Sequence, residues 1–158
     1  MTITQRQTIN FDAPTAIDFH RLLADLHTLI TGTSINLPFY DFNTHTRTTQ
    51  SSRFSAGKFL ILEGIFALYW QALRALCTTK IFITALDQLC LERRLQRDVN
   101  QRGRSPTSVR NQYLQSVRPM YAQHIYPTQH YADLLLAGDD PPEISTNIVI
   151  TYLAKPFT

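Results

Sequence analysis

Three short apolar runs, residues 59–62, 80–85 and 132–137, alternate along this chain with stretches of helical periodicity. Short apolar runs bounded by polar or turn residues read as strands buried on both faces. Strands that alternate with helices form a parallel sheet covered by helices on both sides. The alternation therefore sets the fold class as α/β. The first run, Phe59-Leu60-Ile61-Leu62, stops at Glu63-Gly64, the pattern of a buried parallel strand arriving at a functional edge.

Between the runs, Pro14, Ala16, Ile17, Phe19, Leu22, Leu23, Leu26, Leu29 and Ile30 recur at helical spacing. The pattern predicts a helix begun by Thr15, with Asp18 three residues on, and stopped at Gly32. Residues 35–42 and 48–54 read as a strand pair joined by the polar, threonine-rich connection 43–46. Further helices are predicted over 66–77, 87–101 and 141–153. Another runs from Ser105, as N-cap with Pro106 in the first helical position, toward Tyr126, with a distortion at Pro119. At 158 residues and 44% apolar content the chain suits one domain with one core. Cys77 and Cys90 have neither CxxC spacing nor neighbouring histidines, which argues against a disulfide framework and a zinc site and fits a reducing cytoplasm. The most apolar segment, 59–76, is interrupted by Glu63 and Arg74, and residues 1–7 are polar, so neither a membrane span nor a signal peptide is expected.

Residues 93–118 hold seven of the twelve arginines against one acid, Asp98, while the chain has three lysines. Guanidinium groups present rigid forks of donors that fit phosphate oxygens and stay charged at neutral pH. On a helix Arg94 and Arg97 share a face and Arg93 lies one turn below Arg97, while Gly103 breaks the helix and leaves Arg102 and Arg104 on a mobile hinge. Spacing alone supports two readings equally: a grip on an anion, or a solvated helix with an Arg94–Asp98 pair at i,i+4. The net charge of +3 does not require nucleic acid.

Several motifs stand in register: Asn10-Phe11-Asp12-Ala13-Pro14, Pro38-Phe39-Tyr40-Asp41-Phe42-Asn43-Thr44-His45-Thr46-Arg47, Leu62-Glu63-Gly64-Ile65, Arg102-Gly103-Arg104, Gln112-Tyr113, Val117-Arg118-Pro119 and Tyr131-Ala132-Asp133. Their order and spacing, from about residue 9 to 150, resemble the uridine/cytidine kinases within the phosphoribulokinase and uridine kinase group of P-loop kinases. The resemblance implies a P-loop kinase-like parallel sheet flanked by helices, lacking the N-terminal strands, with a β-hairpin insertion and an arginine-rich lid. It further implies that residues 1–158 are a single partial domain holding the acceptor-binding, lid and C-terminal parts. In such kinases a phosphate loop and a strand ending in the catalytic aspartate precede the Asn-Phe-Asp motif, so no catalytic aspartate is assigned here. The one Gly-Lys pair, Gly57-Lys58, has Ser52 where the first glycine of a phosphate loop belongs and Phe59 where Ser or Thr belongs, and it reads as a turn.

By resemblance Asp12 accepts hydrogen bonds from the ribose hydroxyls, whereas on its own it reads as a turn or cap residue before Pro14. Tyr40, Phe42 and His45 resemble the pocket for a pyrimidine base; the alternation there describes a half-buried strand equally well, and a lone histidine is more often a loop residue. Glu63 resembles the acid that helps hold magnesium through water. Arg94 and Gln112 match contacts to the nucleoside, and Arg97, Arg102 and Arg104 match the phosphate and lid arginines. Departures are Ala13 where relatives carry His, Cys90 where they carry Arg, and Thr84-Ala85-Leu86-Asp87-Gln88 in place of an acidic run. The cofactors implied are ATP or GTP with magnesium, and the partners a pyrimidine nucleoside together with a complementary N-terminal segment or a second copy of the chain; no membrane partner is expected. Three functions follow: a pyrimidine nucleoside kinase represented by its C-terminal two thirds, a catalytically inactive remnant that binds nucleoside or a partner chain, and an RNA-binding module using the arginine helix.

Overall fold

The computed structural model describes Thr2, residues 9–41, Thr44 and residues 46–155. These fall into two compact units, Met1–Ala67 and Leu68–Thr158.

In the first unit a 3-10 turn, Pro14–Ala16, leads into helix α1, Phe19–Ile30. Asp18 caps this helix, its side chain accepting from Arg21 N at 3.3 Å, so the helix begins later than the Thr15 start that the sequence predicts. Pro14 holds the preceding residues in a separate turn, and the short acid at 18 supplies the oxygen that a free helical N–H requires. Leu26 and Leu29 are buried on one face of α1, and Gly32 follows the helix with φ 81, a conformation that suits glycine. Strands β1, Ile35–Asp41, and β2, Thr46–Phe54, form the expected antiparallel hairpin, with an irregularity in register between Pro38 and Tyr40.

Residues 59–62 are not a strand. They run as coil with Phe59 and Ile61 exposed, and Glu63 follows in a loop instead of ending a buried strand. The apolar composition called for burial between neighbouring strands, and among the described residues no strand pairs with this run.

In the second unit the expected helix over 66–77 shortens to α2, Gln71–Leu76, preceded by turns. Strand β3, Ile81–Thr84, pairs in parallel with β4, Leu134–Ala137, in the register Ile81 with Leu134 through Thr84 with Ala137. The parallel pair with its helices is the α/β arrangement anticipated. The core of this unit gathers Leu68, Leu73, Phe82, Val109, Tyr113, Ile125 and Leu136. Within β4 only Leu136 is buried, less than its apolar composition implied.

Helix α3, Asp87–Arg102, ends at Gly103, whose left-handed φ of 63 lets its N–H return to Asp98 O. Ser105 then caps α4, Pro106–Gln112, by accepting from Ser108 N at 3.2 Å, as read from the Ser-Pro pair. The distortion expected near Pro119 spreads to both sides of it: π turns at Tyr113–Val117 and Tyr121–Ile125 flank a short α turn, Arg118–Met120. A proline lacks the N–H that an α-helix would use, and widened turns accommodate the loss. Helix α5, Pro142–Leu153, closes the described fold.

Candidate functional site

The arginine-rich segment of the second unit is organised around one carboxylate. Asp98 is 0% exposed. Its Oδ1 accepts from Arg97 Nε at 2.9 Å and lies 3.3 Å from Arg102 Nη1; its Oδ2 lies 3.4 Å from Arg104 Nη1 and 3.7 Å from Arg94 Nε. Burial pushes this carboxyl up, but the Arg97 hydrogen bond and the charges of Arg97, Arg102 and Arg94 outweigh it and hold the group below its ordinary 3.8. Gln112 Oε1 accepts from Arg104 Nη1 at 2.6 Å and from Arg94 Nη2 at 3.2 Å, and Arg104 Nη2 also donates to Ser108 Oγ. The Arg94–Asp98 pair expected of a solvated helix is therefore real, but it is one of four. Four guanidiniums around one carboxylate leave an excess of three positive charges, which an anion carrying several charges can neutralise.

The structure thus brings together Arg94, Arg97, Arg102, Arg104 and Gln112. Of the two arginines expected on a mobile hinge at Gly103, Arg102 is the last residue of α3 and Arg104 lies just past the glycine, and both pair with Asp98. Arg93 leaves the cluster and donates to Gly138 O at 2.9 Å. At the start of α3 Asp87 Oδ1 accepts from Tyr113 OH at 2.8 Å, and burial followed by this bond raises the Tyr113 phenol well above its ordinary 10.0. Asp98 was legible only as a helix-spacing partner of Arg94. The missed signal is that the single acid among seven arginines stands four residues from both Arg94 and Arg102 and beside Arg97.

In the first unit, Asp12 lies in a turn where its N–H donates to Asn10 Oδ1 at 3.0 Å, so the turn reading of this residue is structurally correct. Tyr40, on β1, stands opposite Arg47 on β2 and is 42% exposed. Arg47 Nη2 in turn donates to Asp18 Oδ2 at 2.9 Å, tying the start of β2 to the carboxylate that caps α1; this bond and the cap lower the Asp18 carboxyl. Asp41 accepts from Thr44 Oγ1 at 2.7 Å in the hairpin connection. Phe42 and His45 lie outside the described residues. Glu63 is exposed in the loop after residues 59–62.

Among the described residues no three His, Cys, Asp or Glu side chains gather so as to hold a metal ion. Magnesium keeps several waters and is commonly bound by one or two carboxylates together with substrate phosphates, so an exposed Glu63 is a fitting contact only beside a bound nucleotide. The arginine cluster carries charge opposite to that of a polyphosphate. No helix among the described residues is long and apolar enough to cross a membrane.

A model of the Phosphoribulokinase / Uridine kinase family matches residues 2–139. The chain is 38% identical over 155 residues to the uridine kinase of Lactococcus lactis subsp. cremoris (strain MG1363), covering 98% of this chain and 75% of that protein. It is 43% identical over 137 residues to the uridine kinase of Tolumonas auensis, covering 86% of this chain and 64% of the relative. With the uridine kinase of Erwinia tasmaniensis it shares 40% over 149 residues, 94% of this chain and 70% of the relative.

Proposed function

The chain belongs to the phosphoribulokinase/uridine kinase family, and we propose that it supplies the acceptor-gripping and phosphate-gripping parts of a pyrimidine nucleoside kinase. The reaction is transfer of a phosphoryl group from ATP or GTP to the 5'-hydroxyl of uridine or cytidine. Such a transfer rests on positioning the acceptor and neutralising charge on the phosphates. The observation that carries the proposal is the arginine constellation: a surplus of guanidiniums, fixed in place by a buried acid, at the positions where the sequence resembles the kinase lid.

In this reading residues 1–158 are one partial kinase domain. Asp12 accepts from the ribose hydroxyls, Tyr40, Phe42 and His45 hold the base, and Arg94 with Gln112 contacts the nucleoside. Arg97, Arg102 and Arg104 clamp the phosphates. Glu63 touches magnesium through water when the nucleotide is bound. The 158 residues contain no Gly, four residues, Gly-Lys-Ser/Thr run. The proposal therefore assigns the phosphate loop to a complementary segment, and residues 59–62, apolar and without a paired strand among the described residues, fit a place beside it.

Calorimetric titration of the full chain with uridine is the first test. Weak binding is expected, and Asp12→Ala is expected to weaken it by about 1 to 3 kcal/mol, the cost of removing one hydrogen-bonding partner. Unchanged affinity in Asp12→Ala would place the nucleoside elsewhere. The chain alone is expected to form no uridine monophosphate from ATP. Co-expression with a segment that carries a phosphate loop and catalytic aspartate is expected to increase the soluble yield. The same co-expression speaks to a second reading, a nucleoside-binding protein without turnover: uridine monophosphate formation by the complemented chain would exclude it.

A further inference from the structure

We propose that Asp98 is the positioning residue of the phosphate clamp, its buried carboxylate setting the spacing at which Arg97 and Arg102 present themselves to a polyphosphate. The inference rests on the phosphate-gripping role proposed above for these arginines.

Three observations carry it. Each oxygen of the Asp98 carboxylate lies near two guanidiniums, so one acid fixes four arginines that would otherwise repel one another. The main chain of the same residue joins in: Asp98 O accepts from Gly103 N and from Arg104 N, the latter at 3.1 Å, so side chain and backbone together fold the segment after α3 back onto the helix. Finally, the arginines divide by exposure. Arg94 (18%) and Arg104 (31%) lie inward and share Gln112, whereas Arg97 and Arg102 are 46% and 47% exposed. Asp98 itself is fully buried, so an incoming phosphate meets the outer pair and does not displace the acid.

Two roles for Asp98 give opposite signs. An acid that merely offsets positive charge weakens anion binding, and its neutralisation tightens the complex. An acid that positions the arginines supports binding, and its neutralisation loosens the complex.

The experiment titrates the full chain with inorganic tripolyphosphate by calorimetry at low ionic strength, at a temperature where circular dichroism shows each variant folded. Asp98→Asn is expected to weaken binding about tenfold, the size of one charge-assisted hydrogen bond. The double variant Arg97→Gln/Arg102→Gln is expected to weaken it at least as much, and adding Asp98→Asn to it is expected to cost less than in the native chain, since of the clamping arginines only Arg104 then remains for the acid to hold. Tighter or unchanged binding in Asp98→Asn overturns the proposal, as does a full additional loss in the triple variant. If Asp98→Asn does not fold, Asp98→Glu serves instead: it keeps the charge but moves it, so a several-fold loss is expected and unchanged affinity overturns. Where the native chain binds tripolyphosphate and Arg97→Gln/Arg102→Gln weakens it but the Asp98 variants do not, only the role of Asp98 fails. Absence of binding by the native chain, or indifference to Arg97→Gln/Arg102→Gln, overturns the phosphate role of the arginines and this inference together.

Discussion

Residues 59–62 and strand β4 have nearly the same composition, Phe-Leu-Ile-Leu and Leu-Leu-Leu-Ala, and opposite fates. β4 is hydrogen-bonded in parallel to β3 and buries Leu136, while residues 59–62 remain coil with Ile61 87% exposed. Composition states a demand for burial; a neighbour decides whether the demand is met. β4 has that neighbour and a clamp at its entrance. Asp133 Oδ2 accepts from Lys80 N at 2.7 Å and pairs with Lys80 Nζ at 3.0 Å, while Asp133 N donates to Lys80 O at 2.7 Å. The parallel pair is thus registered before its first strand residue.

The largest expected effect tests that contrast directly. Leu136→Ala should destabilise the second unit by about 2 to 5 kcal/mol in urea denaturation, whereas Ile61→Ala should change stability by no more than about 0.5 kcal/mol. Equal losses would mean that residues 59–62 are buried in solution and would break the comparison. Next in size is Gly138→Ala at the exit of β4: a Cβ there would lie 2.9 Å from Thr84 O, so the strands must shift, at a cost of about 1 to 3 kcal/mol by the same measurement. A similar or smaller loss, about 1 to 2 kcal/mol, is expected for Asp133→Asn, which leaves Lys80 with a neutral partner.

The smallest expected effect concerns pH. Burial raises the Asp133 carboxyl, but its bonds to the Lys80 side chain and backbone outweigh this and hold it below its ordinary 3.8. The stabilisation is therefore complete above the unfolded value and is lost as pH falls through the lower folded one. The stability gap between the native chain and Asp133→Asn should narrow below about pH 4, and a gap that widens on acidification would assign the clamp to other groups. Asp98 titrates with the same sign in both proteins and cancels from the difference.

Local patterning made much of the fold legible. The hairpin, α3, the Ser105 cap and both strands of the parallel pair follow from periodicity and from turn and cap residues that act over a few positions. Residues 59–62 did not follow, because a parallel strand depends on residues remote in sequence. The start of α1 moved from Thr15 to Asp18 because a proline turn and a helix share apolar spacing, and only hydrogen-bond geometry separates them. Of the candidate site, Arg93, Arg94 and Arg97 were legible at helical spacing, and Gln112, Arg102 and Arg104 through the resemblance. The return of Arg104 to Asp98 was not legible, since it turns on a left-handed glycine that reverses the chain. The resemblance assigned roles to Asp12, Tyr40 and Glu63; local patterning placed the first two in a turn and a strand, but put Glu63 at the end of a buried strand where the structure has an exposed loop.

Gly138 joins three elements at one residue: its N–H donates to Thr84 O at 2.6 Å, its missing side chain lets the end of β4 pass close to that carbonyl, and its own carbonyl receives Arg93. The pairing of β3 with β4 therefore acts as a ruler for the arginine helix. A slip of one residue between the strands would carry the anchor of Arg93 along by about 3.3 Å, more than the tolerance of a hydrogen bond. Errors in strand alignment would then appear as a displaced Arg93 on the arginine helix.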